Sequence, residues 1–572
     1  MTSRVASERT DTPAAAPAAP RGRRLTQRQR TAIALAVLAV VFLIPLRGLL
    51  RAQGPPMEEG FMLVFPERVL KGDLPSRDFL HLYGPGGLWA LAGWFWVFGT
   101  NLISERMFGL LQQMAIVFGI FGLARYWGRI VAVLGALASA VIIIPAIGLT
   151  ALAWVGAVGL GLLGLLAGVE ARRASGDRRA RRLALLGGVL LGVALLFRLD
   201  LVVAIGLGLV VLLRGMEKGR AHRLLAGLAA GVSLYVIELA TSGPGHVIRG
   251  IILDPIVYLR GGRRLPIPPS WSHLDGFLQR AGALEQLSWP IPSPTTAQQL
   301  FFWFVILLGS VATLVTVGIW AFRRDHGSLR ARVLLMVALF SVGLLPQGIQ
   351  RVDSTHFAWV GCVPLGFLPV AVFELARHRW ARAGSRGLAL ASGAGVLAVL
   401  FFVLPFFTFR WYSDYSLQSI GIHRTAHIIK REGRVFYYGK KDRADAAQLV
   451  IDEAAKISKP GDRLFVGPKN LRKTPYSDAY LYYMLPELTP ATYYIEMDPG
   501  VANKGSRLAH DLASADIVIL SSIWDNWSEP NDSRELGSRQ PEKVLRRDFC
   551  HVANYLDRYD LYRRCQQVKP PE

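Results

Sequence analysis

Apolar stretches separated by short basic clusters set the rhythm of the chain as far as residue 408. Runs of roughly 16 to 23 residues almost free of charge recur, and at 1.5 Å per residue each can cross a hydrocarbon core of about 30 Å. The pattern predicts eleven spans, at 31–50, 105–124, 130–147, 152–169, 183–198, 200–214, 224–241, 299–321, 332–349, 358–376 and 387–408. Arg125 and Arg129, then clusters at 172–182, 214–223, 323–332 and 377–386, lie between apolar runs. Placing each of them inside, as the positive-inside rule requires, starts the chain in the cytoplasm and ends it outside after an odd number of crossings. The apolar stretch 86–98 is too short to span comfortably. It predicts a helix lying in the interface with Trp89, Trp94 and Trp96 at headgroup level.

Beyond residue 409 the rhythm changes. Short β-rich runs at 435–438, 464–466, 493–495 and 517–520 alternate with helical stretches at 443–457 and 507–512, which predicts a small α/β domain with a mainly parallel sheet. The expected organisation is a disordered basic cytoplasmic tail (1–30), a polytopic α-helical membrane domain (31–408) and an extracytoplasmic α/β domain (409–572). The first apolar run reads as an uncleaved span, because Pro45, Leu46 and Arg47 stand where a small-residue cleavage site belongs.

Composition sharpens this picture. With 52% hydrophobic residues and a mean hydropathy of +0.32, disorder and collagen are excluded, and three cysteines in 572 residues cannot form a disulfide framework. Cys550 and Cys565 both fall in the outer domain, where a bond between them is permitted and left open; Cys362 lies in a span and reads as a small packing residue. The net charge of +24 invites a nucleic-acid reading, but its distribution argues otherwise. There are 53 Arg and 12 Lys, ten of the lysines lie at or beyond Lys430, and the arginines before that point sit in the linkers between spans. The charge sets topology, so the expected partner is membrane lipid and not nucleic acid. The Arg-rich, Lys-poor usage suggests a GC-rich bacterial genome and hence the plasma membrane, and it makes the glycosylation patterns at Asn526 and Asn531 incidental.

Candidate chemistry concentrates on the predicted outer face. The first outer loop carries Glu58, Glu59, Glu67, Asp73 and Asp78, with Glu105 at its end. Glu67 and Asp73 read as ordinary polar residues of an outer loop, whereas Glu58 and Glu59 follow a Pro-Pro break at the start of a helical segment, where a carboxylate can point back toward a cavity at the membrane surface. Asp78 with Arg77 reads as a turn-stabilising ion pair, or as a group that helps bind a divalent cation or orients an acceptor. Arg198 and Asp200 interrupt an apolar stretch, at a cost that demands water, protein or ligand nearby. Arg351, Asp353 and His356 join two spans on the outside; Arg offers a bidentate phosphate contact and His a donor to an oxyanion. Arg260, with Tyr258, Arg263 and Arg264, lies in the longest outer loop, 242–298, and suits a ligand phosphate or a lipid headgroup. In the C-terminal part, Gly467 follows a predicted strand without a phosphate-binding fingerprint. Tyr482, Tyr483, Tyr493, Trp524 and Trp527 fit either a core or a sugar-stacking platform.

These residues carry a resemblance. A doubled acid and Gly, an amphipathic helix, Gly72-Asp73-Leu74-Pro75, Arg77-Asp78-Phe79, then the Pro/Gly-initiated aromatic helix from Pro85, resemble the first external loop of the GT-C superfamily of membrane glycosyltransferases, in the branch of protein O-mannosyltransferases and lipid A aminoarabinose transferases. The resemblance implies a GT-C-like fold of about eleven transmembrane helices with interfacial helices in the first loop. It implies transfer of a sugar from a polyprenyl-phosphate carrier to an acceptor hydroxyl of a glycan, lipid or protein on the outer face, usually with inversion. In the family the first acid after the first span is the catalytic carboxylate, usually Asp. The matching position here is Glu58, and the extra methylene leaves the choice between Glu58 and Glu59 open. Arg351 and His356, with Asp353, Arg198 and Arg260, are then the expected phosphate holders. Some members hold a divalent cation through a second outward carboxylate; the outer turn 145–154 contains no acid, so no metal ligand and no cofactor is assigned. A transporter or flippase, a glycan ligase or polymerase, and a noncatalytic assembly or sensor protein are the competing classes. No internal repeat of the transporter kind is present, and loop 242–298 only partly matches the Arg/His-dominated loop of a ligase.

Overall fold

The computed structural model describes residues 26–281, 289–380, 384–422, 426–502 and 507–565, so most of the predicted N-terminal tail lies outside them. The first helix, Gln27–Leu49, begins at a capping box in which the Thr26 hydroxyl accepts the Gln29 N–H at 3.2 Å and the Gln29 side chain accepts the Thr26 N–H at 2.8 Å. Among the described residues, ten helices are long and apolar enough to cross a membrane: Gln27–Leu49, Leu102–Trp127, Arg129–Ile147, Ala153–Arg173, Asp177–Phe197, Lys218–Ser242, Thr296–Arg324, Leu329–Gln350, Ser354–Arg379 and Ser385–Val403. The eleventh predicted span is the shorter apolar helix Leu199–Leu213, about 22 Å long at 1.5 Å per residue. The chain is a multi-pass helical membrane protein.

Close helix approach is written into two glycine pairs. Gly188 and Gly192 on Asp177–Phe197 face Gly227 and Gly231 on Lys218–Ser233, and an added methyl at Gly192 or Gly231 would meet the opposing backbone. Small residues four apart let two backbones touch where lipid supplies no hydrophobic driving force. One end of the bundle gathers arginines from the ends of several helices. Gln27 and Thr31, from the start of the first helix, share a cavity of about 790 Å³ with Arg125, Arg129, Arg173, Arg330 and Arg377, all at the end of the bundle opposite Leu49 and Gln350.

At that other end the first loop forms two short helices, Pro56–Leu70 and Pro85–Phe98, neither long enough to span. The second matches the predicted interfacial helix: Trp96 is exposed, and Trp94 donates its indole N–H to the Ser104 carbonyl at 2.9 Å. A helical segment at 406–419 then folds back on the first span, where Tyr412 donates to the Val41 carbonyl and the Ser419 hydroxyl accepts the Gly48 N–H.

The strand-bearing part begins at His427 and corrects one expectation. Its five-stranded sheet is mixed, not mainly parallel. Arg463–Pro468 runs parallel to Thr489–Pro490 and Ile517–Ser521, whereas Tyr559–Arg564 is antiparallel to both Ile517–Ser521 and Phe549–Tyr555. A separate ribbon pairs His427–Arg431 with Arg434–Tyr438, against which Lys441–Ile457 packs. The predicted strand 493–495 does not form, because the Tyr493 and Tyr494 N–H groups are taken by the Asp511 carboxylate and the Thr492 hydroxyl, which leaves no ladder to join. Cys550 and Cys565 are bonded, with Cα atoms 5.2 Å apart.

This part sits on the first loop. Arg434 forks onto the Glu67 carboxylate at 2.9 Å through both nitrogens, Leu80 N–H donates to the Tyr493 carbonyl at 2.8 Å, and the Tyr493 hydroxyl donates to the Ser76 carbonyl at 2.9 Å. Gly60 lets the helix Pro56–Leu70 come so close to Tyr480 that a side chain at 60 would strike the Tyr480 backbone nitrogen.

Candidate functional site

Where the loop helices, the bundle and the C-terminal part meet, they enclose a cavity of about 990 Å³. Its lining includes Glu58, Arg198, Asp200, Arg260, Arg263, Arg264, Arg351, His356, Tyr476 and Glu496. Its remaining wall is apolar, with Val202, Ile252, Ile256, Val342, Leu345 and Ile349 among the side chains from two helices of the bundle and the segment after Lys218–Ser242. Charged and apolar side chains therefore share one cavity, bounded by the C-terminal part on one side and the membrane helices on the other.

Glu58 and Glu59 part company at the start of their helix. Pro55 caps it and Pro56 opens it, which sets both carboxylates in the first turn. Successive residues on a helix point about 100° apart, and here the two carboxylates take different surroundings. Glu59 points inward, where both its oxygens accept from Arg106 at 2.7 and 2.8 Å, and Arg106 also donates to the Leu49 carbonyl at 3.0 Å. Both side chains are 1% exposed. Glu59 thus ties the end of the first span to the second and lies outside the cavity lining. Glu58 lines the cavity, keeps partial exposure and forms no ion pair among the described residues. Burial pushes its carboxyl up to about 7, against a smaller opposing pull from its backbone hydrogen bond and from Arg351.

The segment after Leu329–Gln350 builds the cationic part. Asp353 caps the helix Ser354–Arg379 by accepting the His356 N–H at 2.9 Å, and its carboxylate also faces His356 Nδ1 at 2.9 Å. That contact fixes the imidazole and leaves Nε2 for another partner. Burial alone would raise Asp353, but His356 and Arg351 outweigh it and hold the carboxyl below its usual range. Asp353 does not itself line the cavity; it arranges His356, which does. Arg351 Nη2 donates to the Tyr476 hydroxyl at 2.7 Å.

Arg198 lines the cavity but is already engaged, forking onto Asp200 at 3.0 and 2.6 Å and lying over the rings of Tyr83 and Trp154 at 4.5 and 5.1 Å. Arg260 is exposed in the lining, and Arg263 approaches Asp498 at 3.6 Å. Asp78 is elsewhere: it pairs with Arg77 at 3.1 and 3.0 Å and accepts the Leu74 N–H at 2.8 Å, a turn-closing role. Tyr482, Tyr483, Trp524 and Trp527 are buried, Tyr493 is half-buried, and none of the five lines the cavity, which makes them core.

The lining residues Tyr476 and Glu496 were not singled out from the sequence. Tyr476 stands in a Tyr-rich stretch with Tyr480, Tyr482 and Tyr483, where nothing marks it out. Glu496 belongs to Glu496-Met497-Asp498-Pro499-Gly500, and the paired acids before a Pro-Gly turn were a usable signal. Burial and the adjacent Asp498 carboxylate push Glu496 well above the usual carboxylate range. Among the described residues no group of three or more His, Cys, Asp or Glu side chains is arranged to hold a metal ion, and no metal role is assigned to them.

No protein-family model matches the sequence, and no curated protein matches it. Similar solved structures exist. ArnT from Cupriavidus metallidurans bound to undecaprenyl phosphate is 14% identical over 96% of this chain and 100% of its own, with a TM-score of 0.48. The apo form of the same protein gives 14% identity, 95% and 100% coverage and 0.46. The Archaeoglobus fulgidus oligosaccharyltransferase tethered with an acceptor peptide is 12% identical over 95% of this chain and 75% of its own, with a TM-score of 0.44. At these identities and scores the reading of the site rests on its own geometry.

Proposed function

We propose that the chain is a glycosyltransferase that moves a sugar from a polyprenyl-phosphate carrier to an acceptor hydroxyl, on the face of the plasma membrane that bears the C-terminal domain. The carrying observation is the cavity in which a carboxylate without an ion-pair partner among the described residues, an Arg/His group suited to phosphate and apolar side chains come together. A lipid-linked phosphosugar and its acceptor present matching parts: a chain for the apolar side chains, an anion for the cations, and a hydroxyl for the carboxylate.

The chemistry follows from the residues. Glu58 takes the proton of the acceptor hydroxyl as its oxygen attacks the anomeric carbon. The bond from that carbon to the phosphate oxygen breaks, and the charge gathering on the leaving phosphate is met by Arg351 and by His356 Nε2. Attack from the side opposite the leaving group inverts the anomeric centre. Arg260 extends the positive field toward the cavity mouth, and Arg198, neutralised by Asp200, shapes the wall. The orientation, with the N-terminus cytoplasmic and residues beyond 427 outside, is supported by the gathering of arginines at the opposite end of the bundle.

The test is complementation. A deletion strain supplied with the wild-type chain regains the parental envelope glycan profile, and one supplied with Glu58→Gln, expressed at equal level, does not. Full restoration by Glu58→Gln would falsify the assignment of the base.

A further inference from the structure

Arg351 carries the proposed phosphate contact, yet its own segment does not hold it in place. Asp353 stands 3.9 Å from Nε, beyond hydrogen-bond range, and Nε has no acceptor among the described residues. Among the described residues, the one short contact of the guanidinium head is the 2.7 Å bond from Nη2 to the Tyr476 hydroxyl. Tyr476 comes from the C-terminal part and is 1% exposed. Its backbone has φ +83°, in the half of conformational space that non-glycine residues avoid, so the surrounding fold must hold it there. Two contacts do this: its N–H donates to the Met497 carbonyl at 2.9 Å, and its ring meets Trp527 edge-on with centroids 4.8 Å apart.

The choice of acceptor has a chemical meaning. A carboxylate in that place would orient the guanidinium but cancel its charge. A phenol hydroxyl accepts one N–H and leaves the charge, and the remaining N–H groups of the fork, for an incoming anion. Resting on the reading that Arg351 holds the carrier phosphate, the geometry points to Tyr476 as a positioning residue that aims Arg351, so that the phosphate-holding end of the cavity is assembled only when the C-terminal part is docked on the bundle.

The test uses full-length protein in detergent and two probes, undecaprenyl phosphate and the uncharged undecaprenol. The ratio of their affinities isolates the phosphate contact from the chain contact. Tyr476→Phe keeps the ring against Trp527 and removes only the hydroxyl, so the protein still folds, with a modest drop in ligand-free melting temperature from the unpaired Arg351 N–H, while the ratio falls by about tenfold, the scale of one hydrogen bond to a charged group. Arg351→Ala lowers the ratio at least as far, and the double variant lies no lower than Arg351→Ala alone, because Tyr476 acts through Arg351. An unchanged ratio in Tyr476→Phe beside a lost one in Arg351→Ala makes Tyr476 a docking contact and overturns the inference, leaving the phosphate reading intact. Additive losses in the double variant overturn it too. A ratio retained in Arg351→Ala overturns the phosphate reading itself.

Discussion

Glu58 and Glu59 are adjacent and chemically identical, and their surroundings separate them. Glu59 lies in a buried fork with Arg106, and removing one partner of such a pair strands the other charge at a cost of about 3–5 kcal/mol. Glu59→Gln and Arg106→Ala should therefore lower the melting temperature sharply in a thermal-unfolding assay. Glu58→Gln should leave it unmoved and cut the transfer rate by about 10² to 10⁴, the usual contribution of a general base. Because burial raises the Glu58 carboxyl to about 7, it is protonated and unable to accept a proton below that value. The turnover rate should accordingly climb as pH rises through about 7 and level off above, and a profile flat from pH 5 to 9 would exclude Glu58 as the base. Arg351→Ala should weaken donor binding, seen as a raised KM with a smaller change in kcat.

At the scale of the elements, the glycine pairs make a prediction of their own. Replacing Gly192 or Gly231 by Leu drives a side chain into the facing backbone. The yield of monodisperse protein in size-exclusion chromatography should collapse for either variant, while Leu at Gly206, which has open space around it, should be tolerated. The helices were legible in the sequence because the bilayer imposes a length and the arginines impose a side. The strands were less so. The segment 493–495 has the composition of a strand, but side chains capture its backbone donors, a competition invisible to periodicity. The hairpin Phe549–Tyr555 to Tyr559–Arg564 was missed because it turns through Leu556 and Asp557, both at positive φ, without the Asn-Gly or Asp-Gly signature. Of the site, Glu58, Arg351 and His356 could be found from ionisable residues beside apolar runs. Glu496 was marked only by the paired acids before a Pro-Gly turn, and Tyr476 by nothing, because what brings it there is the docking of one part of the molecule on another.

For the whole molecule, the joint between the bundle with its first loop and the C-terminal part is an apolar core shared by both, with the Arg434–Glu67 fork beside it. The bond between Cys550 and Cys565 lies in the sheet, away from the cavity lining. Closing a loop of that length contributes about 3 kcal/mol in the chain-entropy view. Replacing both cysteines by Ser should lower the melting temperature of the purified protein and leave donor affinity unchanged. In intact cells, a reporter fused after residue 565 should be active only outside the cytoplasm, and activity inside would reverse the topology.

The φ +83° turn that presents Tyr476 lies more than four hundred residues downstream of Glu58. Every membrane-spanning helix is therefore made before the residue that aims Arg351, and a copy ended short of it keeps the apolar wall of the cavity while its guanidinium is left unaimed.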